Sequence, residues 1–398
     1  MSFYYATEEE IKRGETTDIY FKRTEQILEA KGLDNIRVVA EVTVGELPEN
    51  WSWAVLTGVE ELAALIENIP VNVYSMPEGT IFTPRDINGT RIPIAIIEGV
   101  YSKFASFETP LLGFLCQSSG ITTTAARIRK AAGSKLVISF GARRMHPVLS
   151  TMIDRSAYIG GVDAISCILA AKKMGLEPSG TMPHSLIILF GDQIEAWKAF
   201  DEVVAENIPR IALVDTYFDE KTEAIMAAEA LGERLWGIRL DTPGSRKGDF
   251  GEIIREVRWE LQLRGYQHVK IFTSGALNEE AIIKLSKAGA DGFGVGTRIS
   301  NAPTINFALD IVEKEGKPVA KRGKYGGLKR VWRCQKCRSD LVSVIKSEEN
   351  PKCPKCNNTM MPLLKPLIEN GKIVAELPHP KKIREKVVEQ LKNYNLEL

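Results

Sequence analysis

The sequence predicts an α/β protein: an irregular parallel α/β barrel, preceded by an antiparallel, sheet-rich α+β region and followed by a small four-cysteine module. Three observations lead there. Residues 1–107 carry apolar residues with period two, broken by turn residues. Residues 108–303 alternate short apolar runs with helical stretches, and residues 304–398 hold two C-x2-C pairs, in a module at about 331–361, before a terminal helix.

Bulk composition limits the alternatives. A chain of 398 residues with 44% hydrophobic and 26% charged residues has ample core for more than one globular unit. Lys+Arg 52 against Asp+Glu 51 leaves a net charge of +1, too little to attract nucleic acid or an anionic membrane over long range. The start, "MSFYYATEEEIKRGE", lacks the basic-then-apolar form of a signal peptide, and no apolar run nears the roughly 18 residues of a membrane span. The expectation is a cytoplasmic protein without a membrane partner. "NGT" at Asn88 then reads as a turn, and Cys116 and Cys167, single in apolar surroundings, as small buried thiols.

In chain order, "YFKRTEQILEAKG" predicts a helix closing at Gly32. "IRVVAEVTV", "VNVYSMPEGTIF" and "IPIAIIEG" predict antiparallel strands joined by turns. Seven candidate parallel strands follow: 135–140, 162–166, "PSGTM" (178–182), 210–215, 236–241, 269–275 and 292–296. Helical spacing in "EIIREVRWELQLRG" and "NEEAIIKLSKAGA" supplies covering helices. "HSLIILFGDQIEAWKAFDEVV" predicts one buried helix starting at His184, with Pro183 suited to its first turn.

Small and polar residues fall at the carboxyl ends of these strands: Arg143, Ser166, Thr181 with His184, Asp215, Arg239 with Asp241, Ser274 with Gly275, and Gly296 with Thr297. Barrels assemble their ligand sites at that face. "TSG" and "GVGT" have the form of a phosphate cradle, where glycines admit the anion to backbone N–H groups; plain tight turns would have the same composition. "SFGARR" places Phe140 where it could cover a flat ring and Arg143 where its fork could meet an anion. Arg239 and Asp241, two apart, point the same way from one strand and suit either an anionic substrate or an internal ion pair. His184 at a helix start could stabilise phosphate carried on its ring. Cys334, Cys337, Cys353 and Cys356 form two C-x2-C knuckles fifteen residues apart, the spacing of a closed, structural four-thiolate zinc site. The basic run "KRGKYGGLKRVWRC" before them fits a nucleic-acid-binding ribbon or a loop facing an anionic substrate.

Together "TTDIYF", "MPEGTIF", "FETPLLGF", "SFGARR", "GGVDAIS", "GTMPHS", "LVDTY", "IRLDTPGS", "TSG" and "GFGVGTR", in order over about residues 16–300, resemble the nicotinate phosphoribosyltransferase family, notably its archaeal branch with a cysteine module. The resemblance implies a type II phosphoribosyltransferase joining nicotinate to 5-phosphoribosyl 1-pyrophosphate in NAD biosynthesis, with magnesium. It implies ATP-dependent phosphorylation of His184, and catalytic roles for Arg143 and Asp241. It places Phe140, Arg143, Arg239 and Asp241 at base and ribose, Asp215 at ribose or metal, and the last two glycine loops at the 5-phosphate. It also implies a homodimer or higher homo-oligomer whose site is shared, with Tyr20 and Phe21 reaching the ring from the partner. Nicotinamide-using relatives carry an acid at the position of Ser166, and a hydroxyl there favours a carboxylate acceptor. Quinolinate or nicotinamide as acceptor, and a zinc-ribbon nucleic-acid-binding factor, are the alternatives.

Overall fold

The computed structural model describes residues 3–246, 248–344 and 350–397. Its chain divides into two compact units, Met1–Thr123 with Pro303–Glu397, and Thr124–Ala302.

In the first unit the strand Arg37–Val44 is buried at seven of its eight residues, Glu41 and Thr43 included. Alternation there does not separate core from water, because both faces are covered. This strand pairs antiparallel with Ala95–Val100 on one side and Phe307–Lys314 on the other. Val71–Ser75 extends the sheet and pairs in turn with Lys365–Glu369. The seven-stranded sheet thus takes strands from both ends of the chain. The sequence division at residue 304 does not correspond to a separate body, since alternation reveals that a strand exists and not which strand it pairs with.

Helix Ile19–Ala30 ends as expected, with Gly32 in the left-handed region at φ +67°. Asn88 lies in a turn whose N–H, with that of Thr90, is accepted by the Asp86 carboxylate at 2.9 and 2.8 Å. Helix Glu108–Ala132 carries hydroxyls inward: Ser119 and Thr123 accept the Thr57 and Val55 N–H at 3.0 and 2.9 Å. Gly120 allows that helix to approach Pro303, whose carbonyl oxygen would sit 2.2 Å from an added Cβ.

The second unit is a curled half-barrel of six parallel strands. Their order is Ala164–Ile165, Leu136–Ser139, Gly292–Val295, Lys270–Ser274, Leu235–Leu240 and Arg210–Leu213. Both Arg210–Leu213 and Gly292–Val295 are buried throughout, as parallel strands covered on both faces are. Helices Phe250–Leu263 and Glu279–Ala288 lie where helical spacing put them.

Three expectations are corrected. "PSGTM" is not a strand; it follows an irregular path tied to the sheet by Ser179 N–H donating to the Ile165 carbonyl at 2.8 Å. Pro178 has no N–H for a ladder and Gly180 weakens extended pairing. The helix from His184 stops at Phe190: Gly191 adopts φ +74°, and Asp192 caps a second helix, Gln193–Val203. Ile188, Leu189 and Phe190 are exposed, so this apolar stretch is not a buried helix. Cys116 and Cys167 are only half-buried. No helix among the described residues is long and apolar enough to cross a membrane.

Candidate active site and cysteine cluster

At the carboxyl ends of the half-barrel strands hydrogen bonds join Asp215, Arg239, Asp241 and Ser274, and His184 Nε2 lies close to both acids. Arg239, on Leu235–Leu240, donates to Ser274 Oγ at 3.0 Å and to the Met182 carbonyl at 3.0 Å. It also lies 3.0 Å from Asp241 Oδ2, confirming that the two side chains point the same way. Ser274 Oγ donates to Asp241 Oδ1 at 2.6 Å. The Asp241 N–H donates to Asp215 Oδ2 at 2.5 Å, which locks adjacent strand ends together.

His184 opens its helix and is partly exposed. Its Nδ1 is 3.1 Å from Thr216 Oγ1, which turns Nε2 toward Asp215 Oδ1 at 3.7 Å and Asp241 Oδ2 at 3.9 Å. Among the described residues Asp215 Oδ1 is buried without a hydrogen-bond partner, as is Arg239 Nε. An orphaned buried acceptor costs about 1–3 kcal/mol, a cost that a ligand or cation would offset.

The two acids are pushed in opposite directions. Burial raises the Asp215 carboxyl above its ordinary range, against the Asp241 N–H, the Thr242 hydroxyl and His184. Burial also opposes ionisation of Asp241, but Arg239, Ser274 and His184 together hold its carboxyl below the ordinary range. Carboxyls so separated suit different tasks at one pH.

The remaining expected residues differ in their surroundings. Phe140 lies over Gly294, where an added Cβ would be 2.4 Å from its ring. Gly275 and Ala276 both take positive φ, +89° and +53°, so the chain turns sharply after Ser274. Gly296 precedes a helix of only four residues, Thr297–Ser300, and Thr297 is exposed. Thr181 and Ser166 are half-buried, and Arg143 is exposed in a short 3-10 turn. Arg143 makes no ion pair among the described residues. Tyr20 and Phe21 belong to the first unit, where Tyr20 is 56% exposed but Phe21 only 4%. Of the two, only Tyr20 has the exposure that contact with a partner would require; Phe21 is buried.

Sequence reading missed four supporting residues. Thr216 orients His184 and Thr242 donates to Asp215 Oδ2 at 2.9 Å. Each directly follows a flagged acid, in "VDT" and "LDT", which was the available signal. Glu223 accepts the N–H groups of Thr216, Tyr217 and Phe218 and so shapes the loop after Asp215. Asp154 is fully buried and joins two strand ends, accepting Ser139 Oγ at 2.7 Å and the Cys167 N–H at 3.0 Å. Neither of these acids lies in a motif that marks it.

In the first unit, Cys334, Cys337, Cys353 and Cys356 bring their Sγ atoms within 4.8 Å of one another, with none joined in a disulfide. Residues 345–349 of the module lie outside the described residues. Its two knuckles repeat one turn: Arg338 N–H donates to the Cys334 carbonyl at 3.0 Å, and Asn357 N–H to that of Cys353 at 2.8 Å. Both Arg338 and Asn357 take positive φ, +59° and +57°. Four thiolates about 2.3 Å from a tetrahedral ion would stand about 3.8 Å apart, so this set could hold a metal ion.

Four of the six cations in the basic run before the cluster are paired internally. Lys321 and Lys324 reach Asp310 at 2.5 and 2.6 Å, Lys329 reaches Glu41 at 2.7 Å, and Arg333 clamps Asp340 at 2.7 Å. Such pairing leaves little of the run free for a phosphate backbone.

One chain thus carries a parallel half-barrel with arginine, aspartate, serine and histidine gathered at its strand ends, and an antiparallel unit. The sequence matches the family models of the quinolinate phosphoribosyl transferase N-terminal domain over residues 18–119 and C-terminal domain over residues 121–310. The chain belongs to this family, as its resemblance to the nicotinate branch implied. It is 56% identical to a nicotinate-nucleotide pyrophosphorylase from Pyrococcus furiosus, with 100% of both chains covered and a TM-score of 0.95. A nicotinate phosphoribosyltransferase from Mycobacterium tuberculosis is 32% identical over 284 residues, 68% of this chain and 60% of that protein. The chain thus matches about 60% of the length of that curated relative. Human nicotinic acid phosphoribosyltransferase shares the fold, with a TM-score of 0.71 at 18% identity over 95% of this chain and 94% of that one.

Proposed function

We propose that this protein is a nicotinate phosphoribosyltransferase, transferring the 5-phosphoribosyl group of 5-phosphoribosyl 1-pyrophosphate to the pyridine nitrogen of nicotinate in NAD biosynthesis. The observation that carries this reading is the strand-end network, with Asp215 Oδ1 buried, without a hydrogen-bond partner among the described residues, and turned toward His184 Nε2. The names of the P. furiosus and M. tuberculosis relatives describe nicotinate nucleotide chemistry from its two directions.

The nucleophile is the lone pair of the pyridine nitrogen, so no proton must be removed before it attacks the ribose C1. Catalysis reduces to holding donor and acceptor in line and stabilising a cationic ribosyl group and departing pyrophosphate. Asp241, kept ionised by Arg239, and Asp215 are the carboxylates suited to ribose hydroxyls or to magnesium, which would neutralise the pyrophosphate. Arg143, exposed and without an ion pair among the described residues, is free to take the carboxylate of nicotinate, with Phe140 covering the ring and the Ser166 hydroxyl favouring the acid over the amide. Thr181 lines the approach to Arg239, and Ser274, Gly275, Gly296 and Thr297 form the 5-phosphate loops.

His184 is the residue that ATP would phosphorylate. With Nδ1 held by Thr216, Nε2 is the nitrogen left to accept the phosphoryl group. Zinc on the four cysteines is structural, the assembly is a homodimer or higher homo-oligomer to which the partner brings Tyr20, and the setting is cytoplasmic.

A second reading, quinolinate as acceptor, draws on the family models' own description. Initial rates with nicotinate, quinolinate and nicotinamide, each with and without ATP, decide between them. We expect nicotinate to be used best and ATP to stimulate it; a preference for quinolinate with release of carbon dioxide overturns the assignment. In His184→Ala the ATP stimulation should vanish, and its persistence would refute the phosphohistidine.

A further inference from the structure

A cavity of about 310 Å³ lies wholly within the first unit, lined by Arg85, Arg91, Lys324, Lys329, Glu41 and Tyr325 among others. Four cations thus face one carboxylate. Their partners differ sharply. Lys329 Nζ, 3% exposed, is taken up by Glu41 at 2.7 Å and by the Tyr325 carbonyl at 2.6 Å. Lys324 Nζ is taken up by Asp310 at 2.6 Å and Thr43 Oγ1 at 2.9 Å. Arg85 and Arg91 have no carboxylate partner among the described residues. Arg85 donates only to the Gly89 carbonyl, at 2.9 Å, which leaves most of its fork unused.

Residues 85 and 91 form an isolated antiparallel bridge at the base of the Asp86–Thr90 turn, so their side chains leave neighbouring points. That turn is fixed by Asp86, which accepts the Asn88, Thr90 and Val342 N–H groups. Both side chains line the one cavity, so two guanidinium groups without a carboxylate partner among the described residues are available to an anion there. A second cavity, shared with Glu46 and Asn306, reaches the same two side chains.

We propose that Arg85 and Arg91 form a binding site for a phosphate group, carried by a small phosphorylated metabolite whose remainder lies against the exposed ring of Tyr325. Guanidinium forks match the tetrahedral oxygens of phosphate in pairs, whereas Lys324 and Lys329 are already taken up by Asp310 and Glu41. This inference does not depend on the reaction proposed above.

The test is titration calorimetry with inorganic phosphate on the full chain, in wild type, Arg85→Gln/Arg91→Gln and His184→Ala. The expected result is a binding event kept in His184→Ala and weakened about tenfold or more in the double glutamine variant. Arg85→Lys/Arg91→Lys, which keeps the charge and loses the fork, should fall between. Thermal melting checks that the variants are folded, since Arg85→Gln gives up the bond to the Gly89 carbonyl while Asp86 still holds the turn. An isotherm unchanged in the double glutamine variant overturns the proposal whether or not the chain transfers phosphoribosyl groups. So does a folded double variant that loses turnover at saturating substrate, because the arginines would then belong to the reaction itself.

Discussion

At the scale of single residues, Arg239 does the most to set the charge of the site. It is the cation that keeps Asp241 ionised, and breaking a buried pair leaves the other charge uncompensated at about 3–5 kcal/mol. Arg239→Ala should therefore cost on the order of 100-fold or more in kcat/KM for the phosphoribosyl donor. The acid limb of the pH–rate profile should also move upward, because Asp241 loses its main counter-charge; a profile displaced in height but not in pH would contradict this. Glu108 offers a separate test. Burial, then the nearby Asp310 charge, raises its carboxyl to about 7. The folded chain holds that proton more tightly than the unfolded one, so the associated stability is full below the ordinary glutamate range and lost as pH rises toward 7. Glu108→Gln should be near neutral at pH 4 and stabilising at pH 8 by on the order of 1–2 kcal/mol, after discounting for partial solvent access. Urea unfolding at both pH values checks it, and equal gains at both would rule out the charge as cause.

At the scale of elements, glycines let the half-barrel close around its aromatic rings. A Cβ at Gly294 would lie 2.4 Å from Phe140, and one at Gly292 would lie 2.2 Å from Phe272. Gly294→Ala should destabilise the chain by about 1–3 kcal/mol through overpacking. It should also raise KM for the pyridine substrate more than it lowers kcat, because Phe140 is moved and the strand-end charges are not. Steady-state kinetics beside a thermal melt separates the two effects; an unchanged KM would remove Phe140 from the ring site.

At the scale of the whole molecule, the cysteine module and the carboxyl-terminal segment are built into the first unit. Helix Pro380–Leu391 packs on Gly79 so closely that an added Cβ would meet Ile383 at 2.5 Å, and Trp53 Nε1 donates to the Asn395 carbonyl at 2.7 Å. Deleting residues 377–397 should expose fully buried Trp53 and give insoluble protein, detectable by its loss from the supernatant after expression. Purified protein should contain about one zinc per chain by elemental analysis, and a chelator strong enough to remove it should lower the melting temperature. Because four thiolates close the coordination shell, turnover measured below that lowered temperature should persist; immediate loss of activity on chelation in folded protein would argue for a catalytic metal instead.

The sequence by itself determined the class of fold, the strand-end placement of Asp215, Arg239, Asp241 and Ser274, and the four-thiolate cluster, since each is written in local spacing: period two, strand–helix alternation, C-x2-C. Arg239 and Asp241 could be placed on one face because strand geometry dictates it, and the knuckles because four cysteines so spaced have few other uses. Only the tertiary structure decided what depends on contacts distant in sequence. It assigned Phe307–Lys314 and Lys365–Glu369 to the first unit's sheet, turned Phe21 inward and left Ile188, Leu189 and Phe190 at the surface. It also supplied Thr216, Thr242, Glu223 and Asp154, whose partners lie 5 to 32 residues away along the chain. Spacing fixes which way a side chain leaves its own element; only packing fixes what it meets.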